Sequence, residues 1–219
     1  MMVKLLETIR YEKGNFDNLE LHQERMNRSR FSIFQCKDDL RLKDFLNREF
    51  QGAMKTISSG EIKTDPDTSI PDDIIFKCRI IYGEDIEKIE VVPYAMPVIR
   101  SLKVIRDDTI NYAYKYANRK ELKKLYSHKE KCDDIMIVKQ GQLTDTYYAN
   151  LLFYNGKYWV TPENPLLKGT RRASLLLKGW ISTEPLVIGD LARFQKARLV
   201  NAMIRFEDHL DIEINNIEL

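Results

Sequence analysis

The second half of the chain contains a closely spaced series of short apolar stretches, which limits the folds that it can adopt. We predict strands at residues 135–139, 143–146, 150–154 and 158–161. Two of the intervening turns contain Gln140-Gly141 and Asn155-Gly156, and glycine supplies the positive φ that tight hairpin turns require. Short strands joined by tight turns pair most readily with their neighbours, so this region predicts a β-rich meander.

The first half mixes strands with amphipathic helices. Its patterns predict a strand at residues 5–11, helices at 22–34 and 38–50, and a hairpin formed by strands at 74–82 and 89–93. Residues 51–73 are poor in large apolar side chains and rich in Ser, Thr, Asp, Gly and Pro, a composition typical of a loop. The sequence therefore predicts an α+β chain with a small α+β domain at 1–96.

The remaining elements would complete a larger, β-rich domain at 97–219. We predict further strands at 102–106, 199–204 and 210–214, and helices at 118–126, 171–179 and 190–196. Gly179 occupies the position at which a glycine commonly ends a helix.

The composition excludes several partners and locations. With 35 basic and 33 acidic residues and no basic arm, the chain has no electrostatic feature expected of a nucleic-acid-binding protein. Its three cysteines form no C-x-x-C pair, which suits a reducing compartment. No apolar run of membrane-spanning length and no signal-peptide pattern occur, so we predict a cytoplasmic protein with no membrane contact. The three histidines fit no metal-binding spacing, so no metal site is predicted.

Two segments could supply a nucleophile and an anion site. Lys115 lies among tyrosines, and Arg119 would place a cation beside it, lowering the pKa of the amine, if the segment is helical. Gly169 and Thr170 form the turn before the helix predicted from Arg171, and the backbone N–H groups of Thr170 and Arg171 would be available to a phosphate. Each segment also has a plain interpretation. Lys115 could be an exposed structural lysine, and the turn at Gly169 could be an ordinary helix start followed by two surface arginines.

Two further side chains complete the candidate set. Asp145 lies between two predicted strands, where Asn150 could orient it, and a carboxylate there could face a closed site. Arg25 shares a helix face with His22, and its planar guanidinium suits phosphate recognition. The alternatives are a carboxylate that serves only a turn and a solvated surface arginine.

The order and spacing of these motifs favour a shared site. The chain contains His-x-x-Arg, Lys-x-x-Asn-Arg, Leu-Thr-Asp-x-x-x-x-Asn-Leu and Leu-Lys-Gly-Thr-x-Arg in succession. This series resembles the class IV family of pyridoxal-5′-phosphate (PLP) enzymes, which includes the D-amino-acid and branched-chain aminotransferases and aminodeoxychorismate lyase. The resemblance extends from about residue 6 to residue 204.

The resemblance implies a role for each position. Lys115 would form the Schiff base with PLP, and Asp145, near Asn150, would pair with the pyridine nitrogen. The phosphate would be bound by Arg25, by the backbone at Gly169, Thr170 and Arg171, and by a second turn that contains Asn201 and Ala202. The implied fold has a small α+β domain and a larger, barrel-like β-rich domain, and such enzymes are generally homodimers with an amino-acid-like substrate.

The chain departs from the family pattern in two ways. Most members carry Glu where this chain has Asp145, which is one methylene shorter. The chain also begins almost at Glu7-Thr8-Ile9-Arg10, which resembles the first strand of the family. An upstream segment that helps to wall the substrate pocket is therefore expected to be missing.

Three functions remain open. Arg119 directly after Asn118 resembles the lyase members, which favours a PLP-dependent lyase that converts 4-amino-4-deoxychorismate to 4-aminobenzoate and pyruvate in folate biosynthesis. The alternatives are a class IV aminotransferase acting on branched-chain or D-amino acids, and a non-catalytic binding protein with the same fold.

Overall fold

The computed structural model describes residues 3–58 and 74–219. The chain folds into two compact units, Met1–Ala95 and Met96–Leu219. The boundary predicted between the domains 1–96 and 97–219 stays a prediction.

The described residues of the first unit form a four-stranded antiparallel sheet and two helices. In chain order its elements are β1 (Leu5–Glu12), β2 (Asn15–Phe16), α1 (Leu19–Phe34), α2 (Leu42–Ser58), β3 (Phe76–Tyr82) and β4 (Ile86–Pro93). The strands follow the order β2-β1-β3-β4. Alternate residues of β3 are buried, which is the period of a strand with one face on a core.

The helix predicted at 38–50 begins only at Leu42, where α2 starts. The segment predicted to be a loop from residue 51 continues α2 to Ser58. Its first two residues, Gln51 and Gly52, are exposed, and the solvent side of an amphipathic helix accepts polar and small residues that also occur in loops. Residues 59–73 of the predicted loop lie outside the described residues.

The second unit is built on a nine-stranded mixed sheet. Its strands are β5 (Leu102–Arg106), β6 (Asp134–Lys139), β7 (Gln142–Thr146), β8 (Asn150–Tyr154), β9 (Trp159–Pro162), β10 (Ile181–Glu184), β11 (Lys196–Val200), β12 (Asp211–Glu213) and β13 (Ile217–Glu218). Its α-helices are α3 (Lys120–Tyr126) and α4 (Thr170–Leu177).

This sheet follows the order β10-β9-β8-β7-β6-β5-β13, and β11 pairs with both β8 and β12. Within residues 96–219, which are all described, the path has two ends and does not close into a barrel. The α+β fold class is therefore confirmed, and the barrel-like character expected of the second domain takes the form of an open sheet.

Strand β6 separates two apolar cores. Met136 and Val138 belong to one cluster, and Ile135 and Ile137 belong to the other. Because successive side chains of a strand point to opposite faces, a strand buried on both faces is apolar at every position, as this one is between Ile135 and Val138. Tyr147 packs in the second cluster, which places the region after Asp145 beside the face that carries Ile135 and Ile137.

Several predicted elements match the structure and others differ. The strands at 102–106 and 150–154 are confirmed at both ends, and the helix predicted at 190–196 is a 3-10 helix at Ile188–Arg193. The strand predicted at 199–204 is wrong after Val200, where the chain turns. Strands β10 and β13 pair in parallel with β9 and β5, and neither was predicted because each is short and stabilised by a distant partner.

Candidate active site

Asp145 lies at the centre of the candidate site in the second unit. Only 5% of the residue is exposed, yet both carboxylate oxygens accept hydrogen bonds. Asn150 Nδ2 donates to Oδ1 at 2.8 Å, and the Leu167 backbone N–H donates to Oδ2 at 2.8 Å. Burial raises the pKa of Asp145 to about 7, against the opposing effect of these donors and of the nearby Arg172 guanidinium. The approach of a cation would stabilise the charged form of a carboxylate in this environment.

The sequence between Asp145 and Asn150 explains their pairing. The Thr146 N–H donates to the Ala149 carbonyl at 2.8 Å, which closes a tight turn between β7 and β8. Thr146 Oγ1 accepts from the backbone N–H groups of Tyr148 and Ala149, as threonine commonly does in turns. The turn sets Asn150 directly across from Asp145 in the register. The four residues between Asp145 and Asn150 in the sequence motif are therefore the residues of this turn.

Asn150 also connects Asp145 to the start of α4. Its Nδ2 donates to the Leu167 carbonyl at 2.8 Å, and Gly169 lies so close that a Cβ there would be 2.1 Å from Asn150 Oδ1. The helix then begins at Thr170, and Thr170 and Arg171 are both buried. The N–H groups of a first helical turn have no acceptor within the helix, so an anion at this position would be favoured.

A third segment joins the same turn. Asn201 Nδ2 donates to the Tyr148 carbonyl at 3.2 Å, and Asn201 Oδ1 accepts from the N–H groups of Met203 and Ile204. The second of these contacts closes a local turn that contains Ala202. The structure thus brings together three segments that are distant in sequence, around Asp145, Gly169 and Asn201.

The segment of Lys115 reaches the same turn through Arg119. Lys115 is half-buried, and the following helix α3 begins only at Lys120. The hypothesis that Arg119 lies one helical turn from Lys115 is therefore wrong. Instead, Arg119 Nη2 donates to the Tyr147 carbonyl, and its guanidinium lies 4.4 Å from the ring centroids of both Tyr147 and Tyr148.

Arg25 belongs to the first unit, where it takes part in a buried charged cluster. Its Nε and Nη2 donate to the two carboxylate oxygens of Glu7 at 2.9 and 2.5 Å, and His22 Nδ1 lies 2.6 Å from Glu7 Oε2. The common helix face predicted for His22 and Arg25 is confirmed by these contacts. The role of Arg25 in phosphate binding stays a prediction.

Arg172 and Asp134 are among the buried charged residues of the second unit that the sequence did not predict. Arg172, which resembled a surface arginine, is buried and donates to Thr161 Oγ1 at 3.1 Å and to the Pro162 carbonyl at 2.8 Å. Asp134 is also buried. The only sequence signal for Asp134 was its position directly before a continuous apolar run.

The described residues contain no cluster of three His, Cys, Asp or Glu side chains that could hold a metal ion. Among the helices in ranges 3–58 and 74–219, none is long and apolar enough to cross a membrane.

Comparisons of this chain with known proteins indicate the same family. The model of the family "amino-transferase class IV" matches residues 93–206. A relative from Haemophilus influenzae, described only as an uncharacterized protein, is 32% identical over 202 residues, which is 92% of this chain and 98% of that protein.

Solved structures agree with this result. A proposed 4-amino-4-deoxychorismate lyase from Haemophilus somnus 129PT is 31% identical, with a TM-score of 0.80 over 94% of this chain and 99% of that one. An aminotransferase from Brucella abortus, solved with PLP bound, is 15% identical, with a TM-score of 0.63 over 98% of this chain and 81% of that one. At that identity the second structure supports the fold alone.

Proposed function

Because the chain belongs to the class IV aminotransferase family, we propose that it is a PLP-dependent lyase that converts 4-amino-4-deoxychorismate to 4-aminobenzoate and pyruvate. The observation that carries the PLP assignment is the buried Asp145 carboxylate. Its two oxygens are oriented by Asn150 and Leu167, and it lies beside the start of α4. Burial of a carboxylate is costly unless it meets positive charge or strong donors, and a protonated pyridine nitrogen supplies both.

The residues present fit PLP at both ends of the cofactor. The Asp145 carboxylate would hold the proton on the ring nitrogen. The backbone of Thr170 and Arg171 and the turn that contains Asn201 and Ala202 would bind the phosphate. Gly169 matters because only a residue without a side chain lets α4 begin this close to Asn150.

In the reaction, bound PLP supplies an electron sink for the negative charge that develops on the substrate carbon bearing the amine. Lys115 Nζ takes the proton from that carbon as the general base. Loss of that proton would allow the C–O bond at the adjacent carbon to break, so that enolpyruvate would leave, take up a proton and become pyruvate. Aromatisation of the remaining ring to 4-aminobenzoate would favour the departure. Asp145 acts by keeping the ring nitrogen protonated throughout, because a neutral ring withdraws electrons less strongly.

Two observations favour the lyase among the reactions of the family. The relative from Haemophilus somnus, itself a proposed 4-amino-4-deoxychorismate lyase, matches over nearly the whole of both chains. Arg119, whose position after Asn118 resembles the lyase members, contacts Tyr147 in the turn that follows Asp145. The homodimer and the cytoplasmic location stay predictions.

The decisive experiment has two stages. Protein purified with PLP should absorb visible light, and borohydride should fix the cofactor to Lys115, as peptide mapping can establish. Lys115→Arg should abolish the label, while Lys120→Arg, an exposed lysine five residues away, should leave it unchanged. A label on a different lysine, or no label, would refute the assignment.

In the second stage, aminodeoxychorismate alone should release pyruvate and 4-aminobenzoate with no amino acceptor present. Amine transfer from branched-chain or D-amino acids to a keto acid, without pyruvate release from aminodeoxychorismate, would identify an aminotransferase instead.

A further inference from the structure

The peptide groups on both sides of Tyr147 are held by two charged side chains, the buried Asp134 and the half-buried Arg119. Asp134 Oδ1 accepts a hydrogen bond from the Tyr147 N–H at 3.3 Å, and Arg119 Nη2 donates to the Tyr147 carbonyl. Tyr147 is the second residue after Asp145 and lies within the turn at 146–149. Two residues from other parts of the unit therefore fix the backbone of this turn.

Burial of the Asp134 carboxyl is energetically unfavourable, because burial disfavours the charged form. The residue is only 1% exposed, and burial raises the pKa of its carboxyl to about 6, opposed by donors that include the Ile135 and Tyr147 N–H groups and by the charge of Arg119. Since an apolar residue would pack here without this penalty, the acceptor function of Asp134 accounts best for its presence.

Arg119 contributes more than a charge. Its guanidinium lies 4.4 Å from the ring centroids of Tyr147 and Tyr148 and 5.8 Å from that of Tyr112. A planar guanidinium can stack on aromatic rings and donate in its own plane at the same time, which the ammonium group of a lysine cannot. The contacts of Arg119 thus hold the ring as well as the backbone of Tyr147.

We propose that Asp134 and Arg119 are positioning residues for the cofactor site, which act by fixing the turn that carries Asp145 and Asn150. This inference rests on the proposed function, since the cofactor is the group that Asp145 would meet. The turn contacts both parts of the candidate site. Asp145 and Asn150 lie opposite each other at its two ends, and its Tyr148 carbonyl accepts a hydrogen bond from Asn201 Nδ2. Displacing Tyr147 therefore shifts both the ring-nitrogen partner and one phosphate-side segment.

Four variants test this role. Asp134→Ala removes the acceptor for the Tyr147 N–H, whereas Asp134→Asn keeps one acceptor oxygen, removes the charge and replaces the second oxygen by an NH2 donor. Arg119→Gln removes the stacked cation, and Arg119→Lys keeps the charge without the planar group. The matched control is Asp133→Asn, which alters the adjacent carboxylate, an exposed group that accepts hydrogen bonds from the N–H groups of Arg100 and Ser101.

The measurement is the affinity for PLP, followed by visible absorbance, together with the melting temperature of each variant with and without PLP. Asp134→Ala and Arg119→Gln should weaken PLP binding by about tenfold, the order expected for one lost charge-assisted hydrogen bond. Asp134→Asn should recover part of the affinity, Arg119→Lys should remain weakened, and Asp133→Asn should bind as the wild type does.

A purely structural role gives a different result. The inference is overturned, while the proposed function stands, if the folded variants have lower melting temperatures but bind PLP with wild-type affinity. This holds for Asp134→Asn and Arg119→Lys as well. If the wild type itself fails to bind PLP, the proposed function fails and this inference fails with it.

Discussion

The backbone of Gly169 packs against the side chain of Asn150 so closely that a Cβ on Gly169 would lie 2.1 Å from Asn150 Oδ1. Gly169→Ala must therefore displace Asn150, which donates to both Asp145 and Leu167. We expect a loss of about 1–3 kcal/mol in the free energy of unfolding, as for other overpacked sites, and weaker PLP binding. Thermal denaturation and a PLP titration measure the two effects.

The control for this variant is Gly189→Ala in the same unit. A Cβ at Gly189 meets nothing within 4 Å, so this change should alter stability by no more than about 0.5 kcal/mol and leave PLP affinity unchanged. Equal behaviour of the two variants would show that the contact with Asn150 is unimportant.

Asp145→Asn should slow turnover strongly. The change removes the charge that would keep the ring nitrogen protonated, and a loss of about 3 kcal/mol of transition-state stabilisation corresponds to roughly a hundredfold in rate. Asp145→Glu restores the residue that most family members carry, but it adds a methylene to a closed site in which both oxygens already have donors, so we expect only partial activity. Normal turnover in a stable, PLP-loaded Asp145→Asn enzyme would mean that another carboxylate serves the ring.

The same carboxylate should make the protein without PLP less stable as pH rises. The folded-state pKa of Asp145 is raised by burial to about 7 from an ordinary value of 3.8, so the folded state holds a proton that the unfolded state has lost between those values. Stability should therefore fall between about pH 4 and pH 7. Melting temperatures of the apoprotein at pH 5 and pH 8 should differ less in Asp145→Asn than in the wild type. An unchanged difference would exclude Asp145 as its source.

Glu7→Gln should destabilise the first unit. Burial alone would raise the pKa of Glu7, but Arg25 and His22 outweigh it and lower the pKa to about 2 from 4.5. Removing one partner of a buried ion pair costs about 3–5 kcal/mol. Because the folded-state pKa is lowered, this contribution is complete above about pH 5 and is lost as the pH falls toward 2. Urea denaturation at pH 7 and at pH 3 should show a smaller gap between wild type and variant at the lower pH.

Glu87→Gln is the matched control for Glu7→Gln. Glu87 pairs with Lys4 at the surface, where both side chains are well exposed, and such pairs contribute about 1 kcal/mol or less. A loss as large as that of Glu7→Gln would mean that burial of the Glu7 cluster is not what makes it stabilising.

The local features of this protein follow from short stretches of its amino-acid sequence. The strands at 102–106 and 150–154, the turn at Gln140-Gly141 and the end of α4 before Gly179 all follow from side-chain periodicity and backbone preference. The order of the Lys115, Asp145 and Gly169 motifs also indicated the family before any geometry was known. These signals are readable because each depends on residues within a few positions of one another.

Tertiary structure decided which of these residues meet and which are buried. Arg172 resembled a surface arginine, yet distant Thr161 and Pro162 receive its hydrogen bonds inside the unit. The Lys115 segment is not helical, so Arg119 turns to Tyr147 rather than to Lys115. Burial and long-range hydrogen bonds depend on partners that no local pattern specifies, and for that reason the environment of Asp145 could be obtained only from the folded chain.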